Sequence, residues 1–324
     1  MHRKDEGEEA VREWQRAAEA GDPDGMAALG FLLQEQGDTQ GARTWYQRAA
    51  ESGHTAAMSN LGLLLEEQEE SEGARAWYQR AADAGLPAGM YNLGLLLQKS
   101  GDAEGARTWY QRAADAGDAE AMNTLGALLL GEEDTDGARV WWERAAQAGH
   151  IGAMSNFGNL LKLRGDTDEA RSWYRSAADS GDADAMFNLG LLSAEHGDIE
   201  GALTWYERAA DAGESDAMYH LGVLLAEEGN PEGAAAWVQR AADAGHVGAM
   251  DGIGVELYQQ GDAEGARTWW QRAADAGHAN AMYNLGVLLW EEGKSEGARM
   301  WLQRAADAGD PEAMDALRGL DGAA

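Results

Sequence analysis

The fold is decided by a stretch that runs from residue 54 to residue 84 and reads HTAAMSNLGLLLEEQEESEGARAWYQRAADA. Its first half places Met58, Leu61 and Leu65 three and four residues apart, which puts these apolar side chains on one face of a helix. Its second half has the same spacing in Ala74 and Tyr78. The stretch therefore predicts a hairpin of two short helices, called helix A and helix B below.

This hairpin recurs along the chain with a period of 32 residues. Ten methionines mark helix A: Met26, Met58, Met90, Met122, Met154, Met186, Met218, Met250, Met282 and Met314. Glycine follows four residues after each of the first nine, and a tryptophan row runs from Trp45 to Trp301 in helix B. A fixed period of this length indicates stacked repeats whose common core no single repeat could form alone.

The predicted fold is all-α, an α-solenoid of stacked antiparallel helix hairpins with 20 helices. We expect one repeat domain over residues 1–324. An N-terminal capping helix covers about 8–20, nine repeats cover 22–309, and a C-terminal capping helix covers about 311–320. Glycines such as Gly53 and Gly85 should end helix B in a left-handed conformation, Pro23 and Pro87 should open helix A, and Asp38 should cap helix B.

The glycine inside each helix A requires an explanation, because glycine costs a helix about 1 kcal/mol relative to alanine. We interpret the row as places where a neighbouring helix approaches closely. The tryptophans are interpreted as packing residues, because the first helix, which has no preceding repeat, carries Glu13 in their register. Arginines of helix B precede an acid by three residues, as in Arg80 and Asp83, which predicts weak surface ion pairs.

Composition narrows the function. The chain has 57 acidic and 25 basic residues, a net charge of −32 and no cysteine. Such a charge disfavours nucleic acid and favours a basic or neutral partner, and disulfides and thiol chemistry are excluded. No apolar run is long enough for a signal peptide or a membrane span, so we expect a cytoplasmic protein without membrane contact. Polar end helices favour a monomer, with a homodimer as the alternative.

The helix A sequence at 281–289, AMYNLGVLL, and the helix B sequence at 73–82, GARAWYQRAA, resemble the Sel1-like repeat, a relative of the tetratricopeptide repeat. The resemblance covers essentially the whole chain. It implies a right-handed superhelix that acts as a scaffold or adaptor for proteins, with helix A lining the concave wall. This chain departs from the family in having a shorter turn between helices A and B.

The face of helix A opposite its core residues is the predicted binding surface. An asparagine row there matches peptide-clamping asparagines of the tetratricopeptide superfamily, whereas the alternative is that each amide binds the next repeat. Aromatic residues stand beside this row, and the C-terminal third adds an aromatic and acidic patch. The candidate ligand-binding residues are Asn60, Tyr91, Asn92, Asn156, Phe187, Asn188, Tyr219, His220, Asp251, Tyr258, Tyr283, Asn284 and Trp290.

Two binding functions stay open at this point. The first is a scaffold for an extended peptide or protein partner on the concave helix A surface, and the second is a binder of a small organic molecule in the same groove. An enzyme is disfavoured, because no catalytic motif occurs and most acids stand at repeated, solvated positions. Histidines such as His246 and His278 share a register but lie too far apart to bind one metal ion, so neither a metal nor a cofactor is expected.

Overall fold

The computed structural model describes residues 2–322, and the side chains of residues 11–320. Over that range the chain forms 20 α-helices and no strand, which confirms the predicted class. Two compact units divide it, residues 1–166 and residues 167–324. The continuity of the repeats into a single domain, and the right-handed sense of the superhelix, stay predictions.

The first unit contains ten helices. They are α1 (His2–Glu19), α2 (Pro23–Glu35), α3 (Thr39–Glu51), α4 (Thr55–Glu67), α5 (Ser71–Asp83), α6 (Pro87–Lys99), α7 (Ala103–Asp115), α8 (Ala119–Gly131), α9 (Thr135–Gln147) and α10 (Ile151–Arg164). Each helix packs against the next one, and α4 also contacts α6, so that these two A helices meet directly.

The second unit contains the other ten helices. They are α11 (Thr167–Asp179), α12 (Ala183–Glu195), α13 (Ile199–Asp211), α14 (Ser215–Glu227), α15 (Pro231–Asp243), α16 (Val247–Gln259), α17 (Ala263–Asp275), α18 (Ala279–Glu291), α19 (Ser295–Asp307) and α20 (Pro311–Gly322). Neighbours in sequence pack against each other here as well, and α20 covers both α18 and α19.

The helix ends follow from local sequence. Gly53 and Gly85 have φ angles of 92° and 85°, the left-handed conformation that glycine adopts without strain. Pro23 and Pro87 open α2 and α6, and the Asp38 carboxylate accepts a hydrogen bond from the backbone N–H of Gly41 at 2.9 Å. These predictions are confirmed.

The first helix is longer than predicted. It begins at His2 instead of near residue 8. Its first turns consist mostly of charged residues without an apolar period, so the spacing of apolar residues does not predict a helix there. Lysine, arginine and glutamate nevertheless favour the helix by propensity alone.

The glycine row is a row of close contacts, as predicted. A Cβ atom added to Gly62 would lie 2.4 Å from the ring of Tyr78, and one added to Gly94 would lie 2.6 Å from Tyr110. Both rings are fully buried. Helix B therefore presses an aromatic ring against the backbone of helix A, and this contact offsets the cost of the glycine.

The tryptophan row is exposed more than a core row would be. Trp77 is half-buried, whereas the adjacent Tyr78 is fully buried. The guanidinium carbon of Arg80 lies 4.1 Å from the centre of the Trp77 ring, a cation–π geometry that recurs in eight helices. The expected Arg80–Asp83 pair is replaced by this contact, and Asp83 accepts a hydrogen bond from Gln79 at 2.8 Å.

Candidate functional site

The predicted binding surface is the helix A face, which carries the registers of residues 59, 60, 63 and 67. Leu63 and Leu95 in the first unit and Val223 in the second are exposed on it. Part of this face is therefore open to a ligand. The asparagines next to these residues are half-buried.

In the first unit the asparagine row joins neighbouring repeats. The Asn92 amide donates a hydrogen bond to the Ser59 hydroxyl at 3.1 Å, and the Asn156 amide donates one to Oδ1 of Asn123 at 3.0 Å. Asn60 is half-buried near the Tyr46 hydroxyl of the preceding repeat, which itself donates a hydrogen bond to Oε1 of Gln34 at 3.0 Å. The Asn92 and Asn156 amides thus adopt the alternative that the sequence left open, since each binds the repeat before it.

The second unit has one tie of this kind and one exception. Asn284 donates a hydrogen bond to Oδ1 of Asp251 at 3.0 Å, and the Asp251 side chain is only 15% exposed. Asp251 therefore links two repeats at the edge of the core, and little of its carboxylate is accessible to a ligand. Asn188 instead donates to the backbone carbonyl of Asp184 in its own helix at 3.0 Å.

Aromatic residues from three successive repeats form a cluster in the second unit. The ring centres of Phe187 and His220 lie 5.3 Å apart, and those of Tyr206 and His220 lie 5.7 Å apart. Tyr219 stacks on His246 at 4.4 Å. Burial lowers the pKa of both histidines, so they are neutral near pH 7. Phe187 and His220 are packing residues in this arrangement.

In the first unit the only predicted aromatic residue, Tyr91, packs in a similar way. Its ring centre lies 5.6 Å from that of Tyr110, and its hydroxyl lies 3.5 Å from Oγ1 of Thr124 in the next repeat. Tyr91 therefore takes part in the contact between repeats.

Three predicted aromatic residues lie in the last repeats. Tyr258 and Trp290 are each 39% exposed, and Tyr283 is half-buried. The Tyr258 hydroxyl donates a hydrogen bond to Glu291 at 2.6 Å, which raises the pKa of that hydroxyl. Tyr258 and Trp290 are thus the predicted site residues that remain most available for binding.

A cavity of about 730 Å³, open to the surface on one side, is lined by α14, α15 and α16. Val223, Val238, Ile253 and Leu257 contribute apolar walls. Of the predicted residues only Tyr219 lines it. The sequence did contain a signal, since Val238 interrupts the buried row that begins with Tyr46, Tyr78 and Tyr110 and that holds an aromatic residue in most repeats.

A second cavity of about 260 Å³ lies on the other side of α16. Its walls include Val255, Tyr258, Trp270 and Val287. Two apolar depressions therefore flank the helix that departs most from the repeat pattern.

The histidines that share a loop register are helix caps. Nδ1 of His54 accepts a hydrogen bond from the backbone N–H of Ala57 at 3.0 Å, and Nδ1 of His246 does the same for Ala249 at 2.9 Å. Within the described residues, no group of three acidic or histidine side chains could hold a metal ion. The structure therefore explains the histidine register by helix termination.

The buried tyrosines of helix B, such as Tyr46 and Tyr110, have shifted pKa values because of their packing. Burial raises the pKa of the Tyr46 and Tyr110 hydroxyls to about 12. These hydroxyls donate to Gln34 and Gln98 at 3.0 and 2.6 Å. They are held inside the hairpins and do not face the cavities described above.

No helix among residues 2–322 is both long and apolar enough to span a membrane.

Comparison with known proteins agrees with the repeat architecture. The profile of the tetratricopeptide repeat matches residues 28–88, 156–217, 213–246 and 252–318, and the profile of the Sel1 repeat matches 87–118 and 119–150. No curated protein sequence matches the chain.

Two solved structures are similar to it. A Sel1 repeat protein from Oxalobacter formigenes is 30% identical with a TM-score of 0.58, over 66% of this chain and 98% of that one. The protein c5321, a protective antigen of uropathogenic Escherichia coli with an SLR fold, is 25% identical with a TM-score of 0.52, over 95% of this chain and 81% of that one.

Proposed function

Because the chain belongs to the tetratricopeptide repeat family, and carries Sel1 repeats among its units, we propose that it is a non-catalytic scaffold that binds a protein partner through the helix A face of α14, α16 and α18. Proteins of these repeat families generally act as scaffolds for protein interactions. The proposal places the partner as an extended segment on the concave wall that the family resemblance implies.

The observation that carries this proposal is a group of large side chains left open on these three helices. Val223, Tyr258 and Trp290 are 38%, 39% and 39% exposed. Tyrosine and tryptophan contribute much of the binding energy in protein interfaces, because they bury a large area with little loss of conformational freedom. An open group of this kind on a repeat surface supports binding.

Acidic side chains surround that group. Glu227, Glu256 and Glu291 are exposed on α14, α16 and α18, and the whole chain has a net charge of −32. Complementary charge speeds association and excludes acidic competitors. The partner should therefore present lysine or arginine next to apolar side chains.

Partner capture tests the proposal. The full chain would serve as bait in crosslinking capture from its source cells, alongside the double variant Tyr258→Ala/Trp290→Ala. We expect the variant to lose the partner that the wild type retains. A matched control is Trp14→Ala, because Trp14 has the same 39% exposure but lies on α1. Identical captures by wild type and double variant would refute the proposed surface.

The 730 Å³ cavity also suits the second candidate function, a small-molecule binder, since ligand pockets usually have about 300–1,000 Å³. Salt dependence separates the two functions. Binding to a basic protein segment should weaken as salt rises, because salt screens the attraction to the glutamates. Salt-insensitive binding of one uncharged compound would favour the small molecule.

A further inference from the structure

Three positions around the 730 Å³ cavity carry smaller side chains than the same positions in other repeats. Val238 replaces the buried aromatic ring of helix B. Ala235 stands where most repeats have arginine, and Gly252 stands where most have asparagine. These residues belong to two helices, α15 and α16, and all three face the same space.

These smaller side chains leave the core of this repeat less covered than the same register in its neighbours. Leu221 and Leu285 are 0% exposed in α14 and α18, whereas Ile253 in the same register of α16 is only half-buried. Loss of the ring does not by itself open a repeat, because Leu302 also replaces it in α19 and is 0% exposed. The cavity is found where smaller side chains stand on both α15 and α16.

Packing does not explain Gly252. A Cβ atom added there would meet no atom within 4 Å, in contrast to Gly254 of the same helix, where it would lie 2.5 Å from Trp270. A glycine inside a helix costs about 1 kcal/mol. The chain therefore bears this cost at a position that lines the cavity and has no close packing contact, as is typical of sites that give up stability for function.

Charge indicates what the cavity accepts. Its charged lining residues are Glu227 and Glu256, and its walls include Val223, Val238, Ile253 and Leu257. We infer, on the basis of the proposed scaffold function, that this cavity receives one large apolar side chain of the partner protein, with a lysine or arginine beside it that pairs with the two glutamates. The cavity thereby determines which partner segments bind.

The second cavity across α16 supports a protein segment as the occupant. Packed helices lie roughly 8–10 Å apart, and a segment in the polyproline II conformation advances about 3.1 Å per residue and presents every third side chain on the same face. Such a segment crossing α16 would therefore place apolar side chains three residues apart, about 9 Å, into the two cavities. A compact small molecule would fill only one of them.

Calorimetric titration with defined peptides tests this inference. The probe is a nonapeptide with one leucine between two lysines. One control peptide has serine in place of the leucine, and another has glutamates in place of the lysines. We expect the leucine–lysine peptide to bind the full-length wild type, and both control peptides to bind about tenfold more weakly or worse.

Val238→Tyr is the decisive variant, because it restores the ring found in other repeats and occupies the part of the cavity next to α15. It should weaken binding of the leucine–lysine peptide about tenfold or more while the helical circular dichroism and melting temperature are kept or raised. Gly252→Asn narrows the cavity from α16 and serves if the first variant misfolds. Glu227→Gln/Glu256→Gln should reduce both affinity and its salt dependence. Trp14→Ala, on α1 and outside the helix A face, should change nothing.

The outcomes separate this inference from the proposed function. Equal binding by wild type and Val238→Tyr would overturn the cavity inference, and loss of the captured partner in Tyr258→Ala/Trp290→Ala would still support the scaffold. Binding of the serine peptide as tight as that of the leucine peptide would overturn it too. An absence of peptide binding would also overturn the inference. If, in that case, the cationic detergent dodecyltrimethylammonium binds wild type but not Val238→Tyr, the occupant of the cavity is a small molecule.

Discussion

Gly252 and Gly254, two residues apart in α16, should respond to alanine in opposite directions. Both lie inside the helix, where alanine is favoured by about 1 kcal/mol. A Cβ atom at Gly252 meets no atom within 4 Å, so Gly252→Ala should gain the full amount of about 1 kcal/mol. A Cβ atom at Gly254 would lie 2.5 Å from Nε1 of Trp270, a ring only 3% exposed.

Forcing an extra carbon into a filled core costs roughly 1–3 kcal/mol. After the gain in helix propensity, Gly254→Ala should therefore lose up to about 2 kcal/mol. The Trp270 ring has little freedom to move away, because its Nε1 donates a hydrogen bond to the backbone carbonyl of Asp251 at 3.3 Å. The two variants should differ by about 1–3 kcal/mol.

Native-state hydrogen exchange of the α16 and α17 amides is the appropriate assay, because long repeat arrays do not unfold in one cooperative step. Protection should rise in Gly252→Ala and fall in Gly254→Ala. Equal stabilisation by both would show that the ring yields freely, and the account of the glycine row as a row of close contacts would be wrong.

Three further predictions concern polar side chains. Asn92→Ala should lower the free energy of unfolding by about 1 kcal/mol, because the buried Ser59 hydroxyl loses its hydrogen bond; an unchanged urea midpoint would show that this tie contributes nothing. His54→Ala should cost about 1 kcal/mol by removing a helix cap, and His54→Asp should restore it, since aspartate caps α8 and α12; failure of that rescue would contradict the capping role. Burial lowers the pKa of His220 and His246, so these histidines bind protons more readily in the unfolded chain than in the folded one. The two histidines therefore leave the folding stability unchanged above the ordinary histidine pKa of about 6.5 and lower it as pH falls below that value. The stability difference between wild type and His220→Gln/His246→Asn should therefore change between pH 7.5 and 5.5, and a constant difference would refute the assignment.

The helices and their caps could be predicted because local sequence determines them. Methionine and leucine spacing specifies each helix A, and Gly53 or Pro23 specifies an end. The start of α1 could not be predicted in this way, because charged residues extend that helix by propensity and leave no apolar period. Local patterns therefore located every helix but did not give all of the boundaries.

The asparagine row shows a different limit. An asparagine amide can donate the same hydrogen bond to a ligand or to a neighbouring repeat. Which of the two it binds depends on the position of a side chain 33 residues away. Asn92 finds Ser59 at that distance in sequence, and Asn284 finds Asp251. Sequence reasoning identified these residues as special and left the choice open, and the structure shows the ties between repeats.

The cavity lay beyond sequence reasoning for a related reason. The interruption at Val238 and the glycine at 252 are both visible in the sequence, yet the interruption at Leu302 leaves a closed core. Whether a missing ring opens a cavity depends on what three helices place around it, and this is a property of packing.

The arginines that lie over tryptophan rings affect how the negative charge of the surface is neutralised. Arg48, Arg112, Arg240 and others hold their guanidinium groups 3.9–4.5 Å from a ring centre, where they also cover apolar surface that water would otherwise wet. Cations held in this way are less free to neutralise carboxylates elsewhere, although Arg272 also lies 3.9 Å from the carboxylate of Asp243. The glutamates and aspartates of the chain should consequently gather a dense atmosphere of mobile counterions, and an incoming basic partner would gain entropy by releasing them into solution.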